Sequence, residues 1–298
     1  MNITFRQLRL FLAVAELRSI TAAAKAMHVT QPTVSMQLKE IADAIGLPIY
    51  EVVGKRLHLT VAGEELAATA STIVNEWADF EQRIGAMKGL EEGRLRISVV
   101  STAKYFIPRI LGTFCHTHPD VDISLEVLNR DGVVQRLREN RDDLYIMSQP
   151  PANIDTHSHV FMANPLVVVA PVTHPLAGKR HIQLKRLKDE RFILREKGSG
   201  TRMACDAHFK QQGFDPLVRL ELGSNEAIKQ AVAGGLGLTV LSTHSLGEHL
   251  VDQSLAVLDT ASFPVQSNWF IVRLKGKRLS PIAQAFMEYL TSRAGVRT

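Results

Sequence analysis

The stretch SITAAAKAMHVTQPTVSMQLKEIADAIG, residues 19–46, contains two short helical patterns separated by a tight turn. The first pattern, at 21–27, is almost entirely alanine on its inner face, which lets a second helix approach closely. Thr30 is a suitable N-cap for the second pattern, Pro32 is tolerated in its first turn, and Gly46 ends it. The apolar residues of this second pattern recur at helical spacing: Val34, Leu38, Ile41 and Ile45. The sequence therefore predicts a helix-turn-helix whose second helix has one buried and one polar face.

The polar face of this second helix carries side chains that suit the major groove of DNA. Hydroxyl, amide and methyl groups can read base edges there, whereas a lysine suits a phosphate. The segment YEVVGKRLHLT, residues 50–60, predicts a β-hairpin wing whose basic tip can reach the DNA backbone or minor groove. We predict these DNA-binding residues: Thr30, Gln31, Pro32, Thr33, Ser35, Met36, Lys39, Lys55 and Arg56. The alternative is a small helical subdomain whose polar surface binds nothing.

The rest of the chain predicts a long helix followed by an α/β region. Residues 61–90 read as one helix with an apolar stripe that suits pairing with a second copy of the chain: Leu66, Ala70, Ile73, Trp77, Phe80 and Ile84. After the segment GLEEGR, at 89–94, strands and helices alternate, which predicts two α/β lobes. The strand WFIVRL, at 269–274, and a closing helix at 281–293 are expected to return to the first lobe.

The predicted fold is therefore a multidomain α+β architecture with three parts. A winged helix-turn-helix occupies 1–60, a linker and dimerisation helix 61–90, and a two-lobed domain 91–298. Lobe 1 is predicted at 91–162 and 268–298, and lobe 2 at 163–267.

Polar residues at the ends of the predicted strands mark a ligand site between the lobes. In α/β sheets, ligands bind at the carboxyl ends of strands and at helix N-termini, where free N–H groups favour anions. We predict these effector-binding residues: Ser101, Thr102, Lys104, Asn129, Ser148, Ser199, Thr201, Arg202, Asn225 and Glu226. Their hydroxyls and cations suit a carboxylate or phosphate. Helix capping is the alternative role for Ser101, Thr102, Asn225 and Glu226.

Composition narrows the classes of function. The 298 residues are 45% hydrophobic and carry a formal charge of +5, which favours an anionic partner. Two cysteines, Cys115 and Cys205, are too few for a disulfide framework, and we expect a cytoplasmic protein without membrane contact. The histidines form no metal motif, so we expect no metal, no cofactor and no catalytic residue. Two alternatives remain, an enzyme that uses the cleft and an architectural DNA-binding protein.

The N-terminal motifs resemble those of LysR-type transcriptional regulators. The residues that carry the resemblance are the segment FRQLRLFLAVAELRSITAAAKAMHVTQPTVS, at 5–35, and the segment RLHLTVAGEEL, at 56–66. In the wing, the segment YEVVGKRLHLT lacks the phenylalanine and arginine that are commoner in the family. The segments LEVLNRDG, MSQPP and EKGSGTR further resemble the regulators of carbon dioxide fixation operons that are called CbbR.

The resemblance implies a ligand-responsive regulator of carbon dioxide fixation genes, with a LysR-type regulator of another metabolic operon as the alternative. Its effector domain is expected to resemble periplasmic binding proteins, and its dimers are expected to pair into homotetramers that bend double-stranded promoter DNA. The implied partners are RNA polymerase and a small anionic metabolite, with phosphorylated sugars, phosphoglycolate and reduced nicotinamide nucleotide as the first compounds to test.

Overall fold

The computed structural model describes residues 2–54, 56–87, 93–247 and 255–293. These residues fall into two units. The first comprises 1–88 with 139–141, and the second comprises 89–138 with 142–298.

Three short helices form the core of the first unit: α1 (Phe5–Leu17), α2 (Ile20–Ala26) and α3 (Gln31–Ile45). Each begins at a hydroxyl residue whose side chain accepts a backbone N–H, namely Thr4, Ser19 and Thr30. Helix α2 begins and ends one residue before the predicted 21–27. The side chains buried between the helices include Phe11, Val14, Ala23, Val34, Leu38 and Ile41. The predicted alanine contact and the predicted apolar face of α3 are therefore present in the core.

A hairpin and a long helix complete this unit. Strands β1 (Tyr50–Val53) and β2 (Arg56–Leu59) pair antiparallel, and α4 (Val61–Met87) follows. The Thr60 hydroxyl accepts the N–H of Gly63 at 3.1 Å, which satisfies a donor in the first turn of α4. Gly63 lies against the preceding loop so closely that a Cβ there would be 1.9 Å from the Ile49 carbonyl oxygen. Residues 88–90 of the predicted helix lie outside the described residues.

Lobe 1 of the second unit is a five-stranded sheet with the order β4-β3-β5-β12-β6. Its strands are β3 (Gly93–Val100), β4 (Val121–Leu128), β5 (Leu144–Met147), β6 (Thr156–Ala163) and β12 (Asn268–Leu274). Strand β3 runs parallel to β4 and β5, while β12 pairs antiparallel with β5 and β6. Its helices are α5 (Ile107–Cys115), α6 (Arg130–Arg138) and α9 (Pro281–Arg293). A 3-10 helix, Ser101–Tyr105, follows β3 and precedes α5.

Lobe 2 contains a three-stranded sheet with the order β10-β7-β11 and a parallel pair of strands, β8 and β9. Its strands are β7 (Leu166–Pro171), β8 (Arg191–Arg195), β9 (Leu217–Leu222), β10 (Thr239–Ser242) and β11 (Leu255–Leu258). Helices α7 (Gly200–Gln211) and α8 (Asn225–Ala233) pack on these strands. The chain passes between the lobes twice, and the two passages are joined by a hydrogen bond from the Asn164 N–H to the Ser267 carbonyl at 2.8 Å.

This architecture confirms the predicted fold class. The exact limits of the domains and lobes stay predictions. No helix in the described ranges is both long enough and apolar enough to cross a membrane.

Candidate functional site

The outer face of α3 is open within the first unit. Thr30, Gln31, Pro32, Met36 and Lys39 are exposed, whereas Thr33 and Ser35 are half-buried. The structure therefore brings the predicted residues of this helix together on one accessible side.

Local hydrogen bonds fix part of this face. The hydroxyls of Thr30 and Thr33 lie 2.8 Å apart, and the Gln31 Oε1 accepts from the Thr21 hydroxyl at 3.4 Å. In the wing, Arg56 is exposed, while Lys55 lies outside the described residues. These side chains offer hydroxyl, amide and cationic groups of the kind that contact bases and phosphates.

A small pocket in the second unit collects the ends of strands from both lobes. It is lined by Val100, Ser101, Thr102, Arg130, Ser148, Arg195, Ser199, Gly200 and Thr201. Five of the predicted effector residues are in this lining, and a sixth, Asn225, bonds to Thr102 and Arg195 beside it. A larger groove on lobe 2, lined in part by Lys185 and Phe214, contains none of the predicted residues.

Helix α7 brings its N-terminus to the pocket. Ser199 occupies the N-cap position, but its side chain makes no capping hydrogen bond. Within the described part of the chain, the hydroxyls of Ser148, Ser199 and Thr201 have no hydrogen-bond partner, so they are available to a ligand. A Cβ on Gly200 would lie 2.7 Å from the Ser148 Oγ, so glycine lets the helix approach the end of β5 closely.

Arg130 supplies a cation that sequence reasoning missed. Its Nε donates to the Gln149 carbonyl at 2.8 Å, and its side chain is 14% exposed. The Nη1 lies 3.7 Å from a carboxylate oxygen of the solvent-exposed Asp131, beyond hydrogen-bonding distance. Neither terminal nitrogen donates a hydrogen bond to any residue in the described ranges. The available signal was its position directly after Asn129, at the start of the helix that follows β4.

Arg195 is the second missed cation, and it is buried and fully engaged. Its Nε and Nη2 donate to the two carboxylate oxygens of Glu196, at 2.7 and 2.9 Å. Its Nη1 donates to the Asn225 Oδ1 at 2.9 Å and to the Thr102 hydroxyl at 3.4 Å. Its Nη2 also donates to the Ser101 hydroxyl at 3.1 Å. The sequence RFILR does not indicate that Arg195 lines a pocket, because its two arginines look alike in sequence although only Arg195 is buried.

Apart from Asn225, the predicted effector residues that do not line the pocket are Lys104, Asn129, Arg202 and Glu226. The guanidinium of Arg202 is held by Asp206 and Glu221, at 2.9 and 2.8 Å, because it points back along its own lobe. The Asn129 Oδ1 accepts the N–H of Gly132 at 2.9 Å and so caps α6. These two side chains have structural partners in place of the predicted ligand.

Lys104 and Glu226 form a pair outside the pocket. The Lys104 Nζ donates to the Glu226 carboxylate at 2.8 Å, and the Tyr105 hydroxyl donates to its other oxygen. Burial alone would raise the pKa of Glu226, but the hydrogen bonds from Lys104 and Tyr105 outweigh it and hold this pKa at about 2. Neither charge is therefore free for an effector. Helix α8 is instead capped by Ser224, whose side chain accepts the N–H of Ala227.

The pocket has the chemistry of an anion site. Its lining combines five hydroxyl residues and two arginines with a helix N-terminus, and contains no carboxylate. Among the described residues, no group of three or more His, Cys, Asp or Glu side chains is placed to bind a metal.

A winged helix-turn-helix joined to a two-lobed α/β domain with an anion pocket defines a class of bacterial regulators that bind DNA and a small molecule. Comparison with known families assigns the chain more narrowly. Residues 5–64 match the bacterial regulatory helix-turn-helix protein, lysR family, and residues 88–295 match the LysR substrate binding domain. The chain belongs to the LysR family of transcriptional regulators, which confirms the predicted resemblance. Because this family consists of regulators, the alternative of an enzyme is wrong.

Individual relatives narrow the comparison to one branch of the family. The chain is 47% identical to a RuBisCO operon transcriptional regulator of Acidithiobacillus ferrooxidans, over 96% of this chain and 93% of the relative. It is 44% identical to the HTH-type transcriptional activator CmpR of Synechocystis, over 97% and 95% of the two chains. Among solved structures, the Synechocystis CcmR regulatory domain in complex with 2-PG is 50% identical in sequence to this chain and superposes with a TM-score of 0.66. The match covers 68% of this chain and 98% of that chain. The predicted resemblance to regulators of carbon dioxide fixation is thereby confirmed.

Proposed function

We propose that this protein activates an operon of carbon dioxide fixation in response to a small phosphorylated carboxylate. The similarity to RuBisCO operon regulators and to a domain that binds 2-PG supports the operon and the ligand class. The single observation that carries the ligand assignment is the state of Arg130: its terminal nitrogens donate no hydrogen bond to a described residue, and it lines the pocket together with unpartnered hydroxyls and without a carboxylate.

In this proposal the phosphate binds at Arg130. The planar guanidinium can donate two parallel hydrogen bonds to phosphate oxygens, and the hydroxyls of Ser148 and Ser199 can add further donors. The free N–H groups at the start of α7 favour the same negative charge. The carboxylate of the ligand then lies toward the hydroxyls of Ser101 and Thr102.

The first unit is proposed to bind double-stranded promoter DNA through α3, with Gln31, Thr33 and Ser35 at base edges and Lys39 at a phosphate. Lys55 and Arg56 of the wing are proposed to contact the DNA backbone.

The exposed apolar side chains of α4, Ile73, Trp77 and Phe80, support pairing with a second copy of the chain. We further propose that such dimers pair into homotetramers, that they contact RNA polymerase, and that the protein acts in the cytoplasm.

The ligand assignment is tested by calorimetric titration of the full-length protein with phosphoglycolate, and with glycolate as the analogue that lacks the phosphate. We expect binding of phosphoglycolate and a stabilisation of about 2.7 kcal/mol at 100 times its dissociation constant. Arg130→Gln should weaken binding of phosphoglycolate by about 30-fold or more, because a charge-assisted bidentate pair is lost. Arg180→Gln is the matched control, since Arg180 is exposed and lies outside the pocket lining.

Two results would contradict the assignment. One is equal binding of glycolate and phosphoglycolate by the wild type. The other is an unchanged dissociation constant in Arg130→Gln. If only a phosphorylated sugar or reduced nicotinamide nucleotide binds, the anion site stands and the ligand is replaced.

A further inference from the structure

Arg195 reaches across the pocket and is saturated with protein partners. An arginine has five N–H donors, and each of those on Arg195 has an acceptor in the protein. An effector can therefore bind Arg195 only by displacing one of these hydrogen bonds. Arg130, in contrast, offers its terminal nitrogens without any displacement.

The acceptors of Arg195 belong to both lobes. Ser101 and Thr102 start the 3-10 helix of lobe 1, whereas Glu196 and Asn225 belong to lobe 2. The Asn225 Nδ2 also donates to the Thr102 hydroxyl at 3.3 Å. Arg195, Asn225 and Thr102 thus form a closed set of hydrogen bonds between the lobes.

A second link joins the other end of the same 3-10 helix to lobe 2. Lys104 and Tyr105, its last residues, both donate to Glu226 in the first turn of α8. The ammonium groups of Lys104 and Lys229 lie 5.1 and 5.2 Å from the centre of the Tyr105 ring, within the range of a cation–π contact. Both ends of this short helix are therefore held by side chains of the opposite lobe.

We propose that Arg195 and Glu226 form an inter-lobe clamp on the 3-10 helix, and that Arg195 is a positioning residue rather than the counter-ion of the effector. This inference rests on the proposed effector site. The clamp holds Ser101 and Thr102 in the binding arrangement before the effector arrives. When a pocket is pre-organised, ligand binding does not include the free-energy cost of ordering it. When pre-organisation is lost, only a fraction of the molecules can bind, and the apparent affinity falls in proportion to that fraction.

The test uses the full-length protein and two ligands that differ in charge. Phosphoglycolate carries a phosphate, whereas sulfoacetate carries a sulfonate with one negative charge fewer. Loss of a counter-ion should reduce the preference for phosphoglycolate, whereas loss of positioning should weaken both ligands by the same factor. We expect Arg195→Gln to raise both dissociation constants roughly tenfold and Glu226→Gln to raise both a few-fold, with the ratio between the ligands unchanged. Arg130→Gln should collapse the ratio.

Hydrogen exchange provides a second measurement that needs no ligand. In the ligand-free protein, Arg195→Gln and Glu226→Gln should speed exchange of the Phe106 N–H, which bonds to the Ala103 carbonyl at the end of the 3-10 helix. Glu288→Gln is the control, because among the described residues the Glu288 carboxylate accepts a hydrogen bond from Gln284 alone, on the same helix. Glu226 is half-exposed, so its variant should fold even if the buried Arg195 cannot be replaced.

The outcomes separate the inference from the proposed function. If Arg195→Gln collapses the ligand ratio as Arg130→Gln does, Arg195 is a counter-ion and the inference is overturned. Unchanged exchange in both clamp variants would overturn it as well. If the wild type binds neither ligand, the proposed effector class fails, and the exchange measurement alone decides on the clamp.

Discussion

Gly63→Ala tests how the DNA-binding unit is held to its long helix. The added Cβ would lie 1.9 Å from the Ile49 carbonyl oxygen and 2.9 Å from its carbonyl carbon. These atoms are backbone, so the clash cannot be relieved by a change of rotamer, and the segment before β1 must move by more than an ångström to reach normal contact. Overpacking of a side chain typically costs about 1 to 3 kcal/mol, and we expect a loss of about 3 kcal/mol here. For a unit of this size, that loss lowers the melting temperature by about 10 °C or more.

Gly85→Ala is the matched control, because Gly85 belongs to the same helix and a Cβ there meets nothing within 4 Å. It should stabilise the protein by roughly 0.5 to 1 kcal/mol, since alanine is the better helix former. Calorimetric melting of the full-length variants measures both effects, and an operator titration should show weaker binding only for Gly63→Ala. A Gly63→Ala protein within 0.5 kcal/mol of the wild type, or a Gly85→Ala protein destabilised equally, would refute the close approach.

Three further predictions concern the other parts of the molecule. Thr33→Ala should cost about 1 to 3 kcal/mol of operator affinity and change the base preference. Arg56→Ala should instead reduce the slope of log affinity against log salt concentration by about 1. If the two variants behave identically in binding assays, the assignment of α3 is contradicted. The pKa of Glu226 is held at about 2, below its ordinary value, so its stabilising effect is complete above about pH 4.5 and is lost as the pH falls through 2. The stability difference between wild type and Glu226→Gln, measured by urea unfolding, should therefore be constant from pH 8 to pH 5; a decline within that range would show that Lys104 and Tyr105 do not hold the carboxylate. If α4 forms the proposed dimer, Ile73→Glu, at a position 43% exposed, should shift it to monomer in sedimentation experiments. An unchanged mass would exclude α4 from the interface.

The helical part of the fold was predictable because its signals are local. Caps such as Thr30, the C-terminal Gly46 and the apolar spacing of α3 are all encoded within a few residues of each other. Strands β3 and β8 were predictable for a similar reason, since GRLRISVV alternates polar and apolar residues and RFILR contains a short apolar run.

Strand β6 could not be predicted from the sequence, because THSHVFMA lacks regular alternation. Four consecutive residues of this edge strand, His157 to Val160, are exposed, so no apolar face marks it. Its pairing with β12 is formed by residues more than 100 positions away, and that partner cannot be read from the local pattern.

The pocket shows which features of the candidate site are local in the sequence and which are not. Hydroxyls at the ends of β3, β5 and β8 were predictable, because strand ends and helix starts are local features. Whether a cation is free, however, depends on its partners, and those come from elsewhere in the chain: Glu221 for Arg202, and Glu226 for Lys104.

The charge that an anion meets is the charge left over after such pairing. Among the residues that line the pocket, Arg195 is matched by Glu196, and its remaining donors bond to Asn225 of the same lobe and to Ser101 and Thr102 of lobe 1, so we infer that its contribution is mainly geometric. Arg130 keeps its terminal nitrogens available, because its Nε bonds to a neutral carbonyl and its nearest carboxylate is exposed to solvent, where water screens it. In the proposed site, Arg130 therefore sets how strongly the pocket prefers a doubly charged group, and Arg195 sets how well the pocket is formed. Affinity and charge selectivity can then change independently, which an anion site built on a single cation does not allow.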